Sequence, residues 1–352
     1  MPLSTSIASS AEEAARKRDA ALAALGPFAT SEPASVRWLL CGRGRPIDAT
    51  APRSPYTVLV TEERATVHYR NNEDSRVRAE ERWGELGFDF EPYPWYESAP
   101  LPPGLPPPEE VERALAPLRR TLSEEEIGRY RVAGAETAEA MVETIERVEP
   151  SLRELGAAGE LAGRLAARGF VSAVVLVAGE ERQPLHRHPL PTEAPLGKHA
   201  LLAATAERDG LHVSLTRLVS FGTPPAELAE RVRSAAQVDS AMLGASRPGT
   251  TTGEVLDVAA AAYAALGFPD EWRLHHQGGI TGYRGREIFA VPDEPTPLPP
   301  LGAVAWNPSI AGGAKSEDTA LVSVAGVEVV TRTPSLPELE LDGLTRPTIA
   351  EL

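Results

Sequence analysis

Leu274-His275-His276-Gln277-Gly278-Gly279-Ile280-Thr281-Gly282-Tyr283-Arg284-Gly285-Arg286-Glu287 is the stretch around which the chain is organised. Adjacent histidines, closely spaced glycines and an Arg-Glu pair are poor material for a packed core. Imidazole titrates near neutral pH, and glycine lets backbone come close to a ligand or to another strand. The run follows a helix-like segment, Thr252 to Leu266, and precedes a proline-rich bend. It is therefore expected to be an inner strand of a sheet or the edge of one. In an extended chain His275 and His276 point to opposite faces. His275 is expected in a cavity, with His276 as its structural partner.

On the C-terminal side, Val304 to Pro308 reads as a strand, and Thr319 to Val324 and Val327 to Thr331 as a closing hairpin around Gly326. Upstream, Ser172 to Ala178, Ala200 to Thr205 and Leu211 to Val219 read as strands, the last two joined by the turn Arg208-Asp209-Gly210. Helical periodicity marks Ala157 to Arg168 and Pro225 to Leu243, and Ser123-Glu124-Glu125-Glu126 opens a long helix with a capping-type start. Helices outside an antiparallel sheet make an α+β layout. Nearer the N-terminus, a helix over Ser10 to Leu25 precedes strands at Val36–Gly42, Tyr56–Thr61 and Ala65–Tyr69. A helix from Asn71 to about Leu86 and a strand at Phe88–Tyr93 complete a small α/β domain. Pro100 to Pro108 is dense in proline and reads as an extended linker. A bridging helix follows it, and the boundary is set near Leu122, giving domains 1–122 and 123–352.

At 352 residues the chain suits two domains, and 42% apolar with 24% charged residues describes an ordinary globular protein. A formal charge of -15 without a basic block argues against nucleic-acid and anionic-membrane partners. One cysteine, Cys41, excludes an intramolecular disulfide and any multi-thiolate metal site, and fits a reducing compartment. The amphipathic N-terminus lacks the apolar core of a signal peptide, and no segment is long and apolar enough to span a bilayer, so a cytoplasmic location is expected.

These landmarks together resemble the pita-bread superfamily of methionine aminopeptidase, aminopeptidase P, prolidase and creatinase. Ser214-Leu215-Thr216-Arg217 is similar to that superfamily's Ser-Asp-x-Thr-Arg, and Arg247-Pro248-Gly249-Thr250 to its Lys/Arg-Pro-Gly turn. His275 to Gly282 is similar to its His-rich glycine motif, and Lys315-Ser316-Glu317-Asp318-Thr319 to the Glu-Asp-Thr before the last hairpin. Gly326 to Thr331 resembles the terminal Gly-x-Glu-x-Leu-Thr pattern. The first domain resembles the N-terminal domain of creatinase and aminopeptidase P, through the helix start at Asn72-Glu73 and the end Tyr93-Pro94-Trp95.

The resemblance implies a site from which most metal ligands have gone. Peptidases of the superfamily hold two divalent ions with two Asp, one His and two Glu. By spacing these fall at Ala204, Leu215, Gly279, Asn307 and Glu317, and only Glu317 is a ligand. No metal or other cofactor is therefore expected. His188 stands where creatinase carries its acid/base histidine, His275 matches the first histidine of the glycine motif, and Arg286 replaces a family histidine. On this resemblance the leading expectation is a metal-independent, creatinase-like hydrolase of a C–N bond in a small amino-acid-derived or guanidino/amidino substrate. His188 and His275 would be its acid/base groups, and Glu287 and Glu317 its substrate anchors. Asn307 and Trp306 are further candidates for substrate contact, by amide hydrogen bonds and indole stacking. Arg217 is counted among the substrate-binding candidates, its structural alternative being a salt bridge to one of these glutamates. Each also has a plain structural reading: a loop histidine beside Pro189 for His188, a solvated turn for Glu317, pairing with Arg284 or Arg286 for Glu287, core for Trp306. Two further functions stay open, a non-catalytic protein binding a small molecule or short peptide, and an Xaa-Pro aminopeptidase whose metal is held by other residues. The resemblance also implies a homodimer.

Overall fold

The structure, a computed structural model, describes residues 7–352, with side chains from residue 10 onward. It divides into two compact units, one running to Arg129 and including Asp209–Leu211, the other comprising Tyr130–Arg208 and His212–Leu352. In the first unit the order is α1 (Ile7–Leu25), β1 (Phe28–Thr30), α2 (Pro33–Leu39), β2 (Thr57–Val60), β3 (Ala65–Arg70), α3 (Asp74–Glu80), β4 (Asp89–Tyr93) and α4 (Pro108–Arg120). The four strands form one sheet in sequence order, antiparallel except for the parallel pair β3–β4. Trp83 fills its aromatic core, edge-on to Tyr56 and Tyr69 and stacked on Phe90. Residues 100–107, the proline-dense stretch, form neither helix nor strand.

Two local expectations fail here. Val36–Gly42 is not a strand: most of it lies in α2, which starts with Pro33 in its first turn and ends before Cys41 and Gly42, both at positive φ. Proline in the first turn and glycine past the last are the ordinary signs of a short helix, and they outweigh the apolar run between them. The helix expected from Asn71 to Leu86 is three pieces, α3 flanked by 3-10 turns at Asn71–Glu73 and Trp83–Leu86, with Arg82 in the left-handed region at the break.

The boundary between the units falls inside α5 (Glu124–Ile145). The second unit continues with α6 (Glu154–Ala167), β5 (Val171–Gly179), β6 (His199–Arg208), β7 (Leu211–Ser220), α7 (Ala226–Ala245) and α8 (Thr252–Ala265). Then come β8 (Gly278–Thr281), β9 (Ile288–Phe289), β10 (Leu301–Trp306), β11 (Ser309–Ile310), β12 (Ala314–Lys315), β13 (Asp318–Ser323) and β14 (Gly326–Val329). Three short strands that the sequence reading missed close the chain, β15 (Glu338–Leu341), β16 (Leu344–Pro347) and β17 (Ile349–Glu351). One sheet has the order β17-β7-β6-β5 and a second the order β14-β13-β10-β8-β9. Helices and mixed sheets confirm the α+β class. Among the described residues, no helix is long and apolar enough to cross a membrane.

The glycine stretch lies inside the second sheet as expected, with β8 between β10 and β9. Its glycines are demanded by close approach. A Cβ at Gly278, which sits at φ +97°, would lie 2.1 Å from the carbonyl oxygen of Ala305, and one at Gly279 would lie 1.9 Å from that of Ile288. No side chain fits at either position without spreading the strands. Gly278→Ala combines backbone strain with overpacking and is expected to cost about 3 kcal/mol. Urea unfolding of the variant beside the parent measures this directly.

Candidate functional site

The site is assembled from one loop and four strands or strand approaches of the second unit. Arg187 fixes the loop before β6 by donating to the Ser309 hydroxyl at 2.8 Å and pairing with Glu271, and so presents His188. The approach to β8 is held by Gln277, whose amide donates to the His275 carbonyl at 2.6 Å and accepts from the Tyr263 hydroxyl at 3.0 Å. The two anchors bring His188 and His275 together, Nε2 to Nε2 at 2.9 Å, so that one ring donates and the other accepts. His276 stacks on His275 with ring centroids 4.5 Å apart, and ring nitrogens of all three histidines lie within 4.8 Å of one another.

These elements border a cavity of about 580 Å³. Its walls are largely apolar, from Ala173, Val174, Leu176, Ala203 and Phe289. The polar groups that line it include His188, His276, Arg286, Asn307, Lys315 and Glu317. That volume and that balance are usual for a small-molecule site. The expected roles of the two adjacent histidines are exchanged: His276 lines the cavity, while His275 lies largely buried against His188, its Nδ1 without a partner.

The segment from Lys315 to Asp318 decides the electrostatics. An extended chain alternates its side chains between two faces. On one face Lys315 Nζ stands 3.0 Å from Glu317 Oε2, and Arg286 Nη2 stands 3.4 Å from Oε1. Thr216 donates its hydroxyl to the same carboxylate at 2.7 Å. Burial alone would raise the Glu317 carboxyl, but Lys315, Arg286 and Thr216 together hold it below its ordinary value. On the other face Ser316 and Asp318 join a closed buried network. Arg217 donates to Asp318 at 2.8 Å, Arg346 to Asp318 at 2.8 Å and to Asp239, and Ser316 to Asp239 at 2.6 Å.

Of the residues singled out in the sequence, His188, Asn307 and Glu317 line the cavity and His275 stands behind His188. Arg217, Trp306 and Glu287 do not line it. Arg217 is committed to Asp318, to the carbonyls of Thr216 and Thr331 and to the Thr333 hydroxyl. It thus has the structural salt-bridge role, with an aspartate as partner instead of a glutamate. Trp306 is fully buried in the apolar core, and its indole N–H donates to Ser246 Oγ at 2.9 Å. Glu287 is half-buried in the turn to β9, its backbone N–H donating to the Ile280 carbonyl. The spacing read into β7 also shifts by one residue. Thr216 reaches Glu317, and Ser214 bonds Thr205 at 2.9 Å, so Ser214 and Thr216 share the face turned to Glu317 while Leu215 turns away. Lys315, Arg286 and His276 also line the cavity, although none was among the expected catalytic or substrate-binding residues. For Lys315 the available signal is the spacing Lys315-x-Glu317, because residues two apart on a strand share a face.

A model of metallopeptidase family M24 matches residues 128–323, more than half of the chain and all of the elements that build the cavity. The chain belongs to metallopeptidase family M24. No curated protein matches it by sequence. Among solved structures, this family member is similar to a dipeptidase, PepE, from Mycobacterium ulcerans, with TM-score 0.73 and 18% identity over 97% of this chain and 99% of that one. It is also similar to an Xaa-Pro dipeptidase from Bacillus anthracis, with TM-score 0.72 and 17% identity over 91% of this chain and 98% of that one. A third likeness is to a prolidase from Pyrococcus horikoshii, with TM-score 0.69 and 16% identity over 92% and 98% of the two chains. The fold is therefore shared with these structures along almost the whole length, the pita-bread part lying in the family-matched region.

Within this M24 site the histidines are uncharged at neutral pH. Burial, followed by the charge of Lys315, lowers His275 to about 2. Burial, followed by Arg286, lowers His276 to about 4, and His188 is also lowered, first by burial and then by Lys315. A histidine with a depressed folded value costs stability on acidification, because the unfolded chain takes up the proton first. Stability is then complete above about pH 6.5 and declines as the pH falls towards the folded value. In chelated buffer His275 is expected to contribute a slope of about 1.4 kcal/mol per pH unit below pH 6. Denaturant unfolding between pH 4 and 7 should show a shallower dependence in His275→Gln.

Proposed function

We propose that this M24 member is a pseudopeptidase: its cavity binds a small molecule or a short peptide without a dinuclear metal centre and without hydrolysing a peptide bond. The observation that carries this reading is the engagement of Glu317. Among the described residues, the one carboxylate that lines the cavity is already ion-paired with an ammonium and a guanidinium of the same chain. Two dications would have to displace both while gaining no other carboxylate, since Asn307 is neutral and Ala203 and Ala204 offer no donor. By the spacing of the resemblance Gly279 falls at the ligand histidine of the peptidases, and the strands around it leave no room for a side chain.

Less supports a creatinase-like hydrolase. Its acid/base pair would be His188 and His275, but an imidazole lowered to about 2 is a weak base at neutral pH. A guanidinium substrate would need a carboxylate, and Glu317 is engaged while Glu287 does not line the cavity. A metal-dependent enzyme with an atypical site draws on a different observation, the three clustered imidazoles, since neutral imidazole is a common metal ligand.

Elemental analysis after incubation with excess Mn, Co and Zn, paired with assays on Xaa-Pro dipeptides, separates these readings. The pseudopeptidase reading expects no tightly held metal and no hydrolysis above buffer. Two equivalents of metal with dipeptide cleavage would overturn it. A single equivalent that disappears in His276→Ala would instead favour the atypical metal site.

A further inference from the structure

The buried charges around the segment Lys315–Asp318 form two groups, and only one of them balances. On the network side, Asp239 and Asp318 meet Arg217 and Arg346, two carboxylates against two guanidiniums. On the cavity side, Lys315 and Arg286 meet Glu317, which leaves one positive charge in that cluster, and Arg284, engaged in contacts of its own, also lines the cavity. Lys315 is 5% exposed and the Arg286 side chain 11%, so water screens this charge poorly. The chain carries a net charge of -15, yet among the described residues Glu317 is the one carboxylate that lines the cavity. His188 and His276 are neutral at pH 7 and add nothing to the balance.

Unmet hydrogen bonds lie around the same charge. The Lys315 ammonium has three N–H donors and one ion-pair partner. Arg286 Nη1 donates to the Gly285 carbonyl and Nη2 faces Glu317, while its Nε is buried without a partner. Asn307, 2% exposed and lining the cavity, has a buried Oδ1 that accepts from nothing. Buried polar atoms are ordinarily satisfied, so an unpaired donor, an unpaired acceptor and an excess cation in one cavity together complement an anion that carries a donor.

We propose that the cavity binds a small monoanionic carboxylate that also carries a hydrogen-bond donor, with its carboxylate held by Lys315 and Arg286, its donor on Asn307 Oδ1 and its apolar body against Leu176, Ala203 and Phe289. The inference rests on the reading that no dinuclear metal occupies the cavity. It adds that a site arranged for cations in its relatives' fold has become a site for an anion.

Isothermal titration of the full chain in chelated, low-chloride buffer tests it with four probes: phenyllactate, 3-phenylpropanoate, phenyllactamide and phenethylguanidinium. Phenyllactate is expected to bind one saturable site and 3-phenylpropanoate to bind about tenfold more weakly, while the neutral amide and the cation show no saturable binding. Asn307→Ala should erase the difference between the two acids. Arg286→Leu leaves a balanced Lys315–Glu317 pair and should weaken both acids at least about tenfold. Glu317→Gln removes the competing carboxylate and should tighten both, a gain that damage to the fold cannot produce. Preference for the guanidinium over the acids, or weaker acid binding in Glu317→Gln that melts like the parent, overturns the proposal. If neither acid binds while the metal analysis stays blank, the anion site falls and the metal-free reading stands. Two bound metals would remove that reading itself.

Discussion

A carboxylate sealed from water stays ionised only when positive charge or donated hydrogen bonds stand against it. Glu317 and Asp318 are adjacent and both buried, so this requirement must be met twice within one residue of chain. Strand alternation makes that possible by sending the two carboxylates to opposite faces. Asp318 takes Arg217 from β7 and Arg346 from β16, and thereby ties the last hairpin and the C-terminal strands to the sheet of β5–β7. Glu317 takes Lys315, Arg286 and Thr216, and thereby draws the turn after β8 and the centre of β7 to one point. The cavity exists because these elements converge there.

Where the sequence could be read depended on whether one chain segment carried the signal. Periodicity, turn residues and the proline-dense stretch are local, and the helices and hairpins they mark appear within a few residues of their expected ends. Val36–Gly42 was misread for a local reason as well: its helix signals, Pro33 and Gly42, lie outside the apolar run that drew attention. The short strands after Glu338 carry weak alternation and owe their state to partners, β15 and β16 to each other and β17 to β7.

Site residues were legible less evenly. Glu317 and His188 could be picked out because the resemblance places each at a functional position of the family. The exchange of His275 and His276 could not, because extension fixes only that adjacent side chains diverge and leaves open which one meets the cavity. Lys315 looked unimportant for a related reason. Its significance comes from Arg286, twenty-nine residues earlier, and only the folded chain puts both cations on one carboxylate.

On the proposed reading, family membership and chemistry come apart at this site. Near-complete coverage at 16–18% identity shows that the architecture tolerates replacement of most side chains. In this chain the close approach of β8 to its neighbours forbids side chains at Gly278 and Gly279. The chemistry depends on a few charges, and those are cheap to change in number but not in balance. A buried metal pair needs an excess of carboxylates, so a chain without metals must remove that excess or supply cations of its own. Here one carboxylate remains against two cations, an overcorrection that neutrality alone does not explain. On the proposed reading the excess of positive charge beside Glu317 is compensated from outside the chain, and Arg286 Nε and Asn307 Oδ1, both without a partner, are the polar atoms around it.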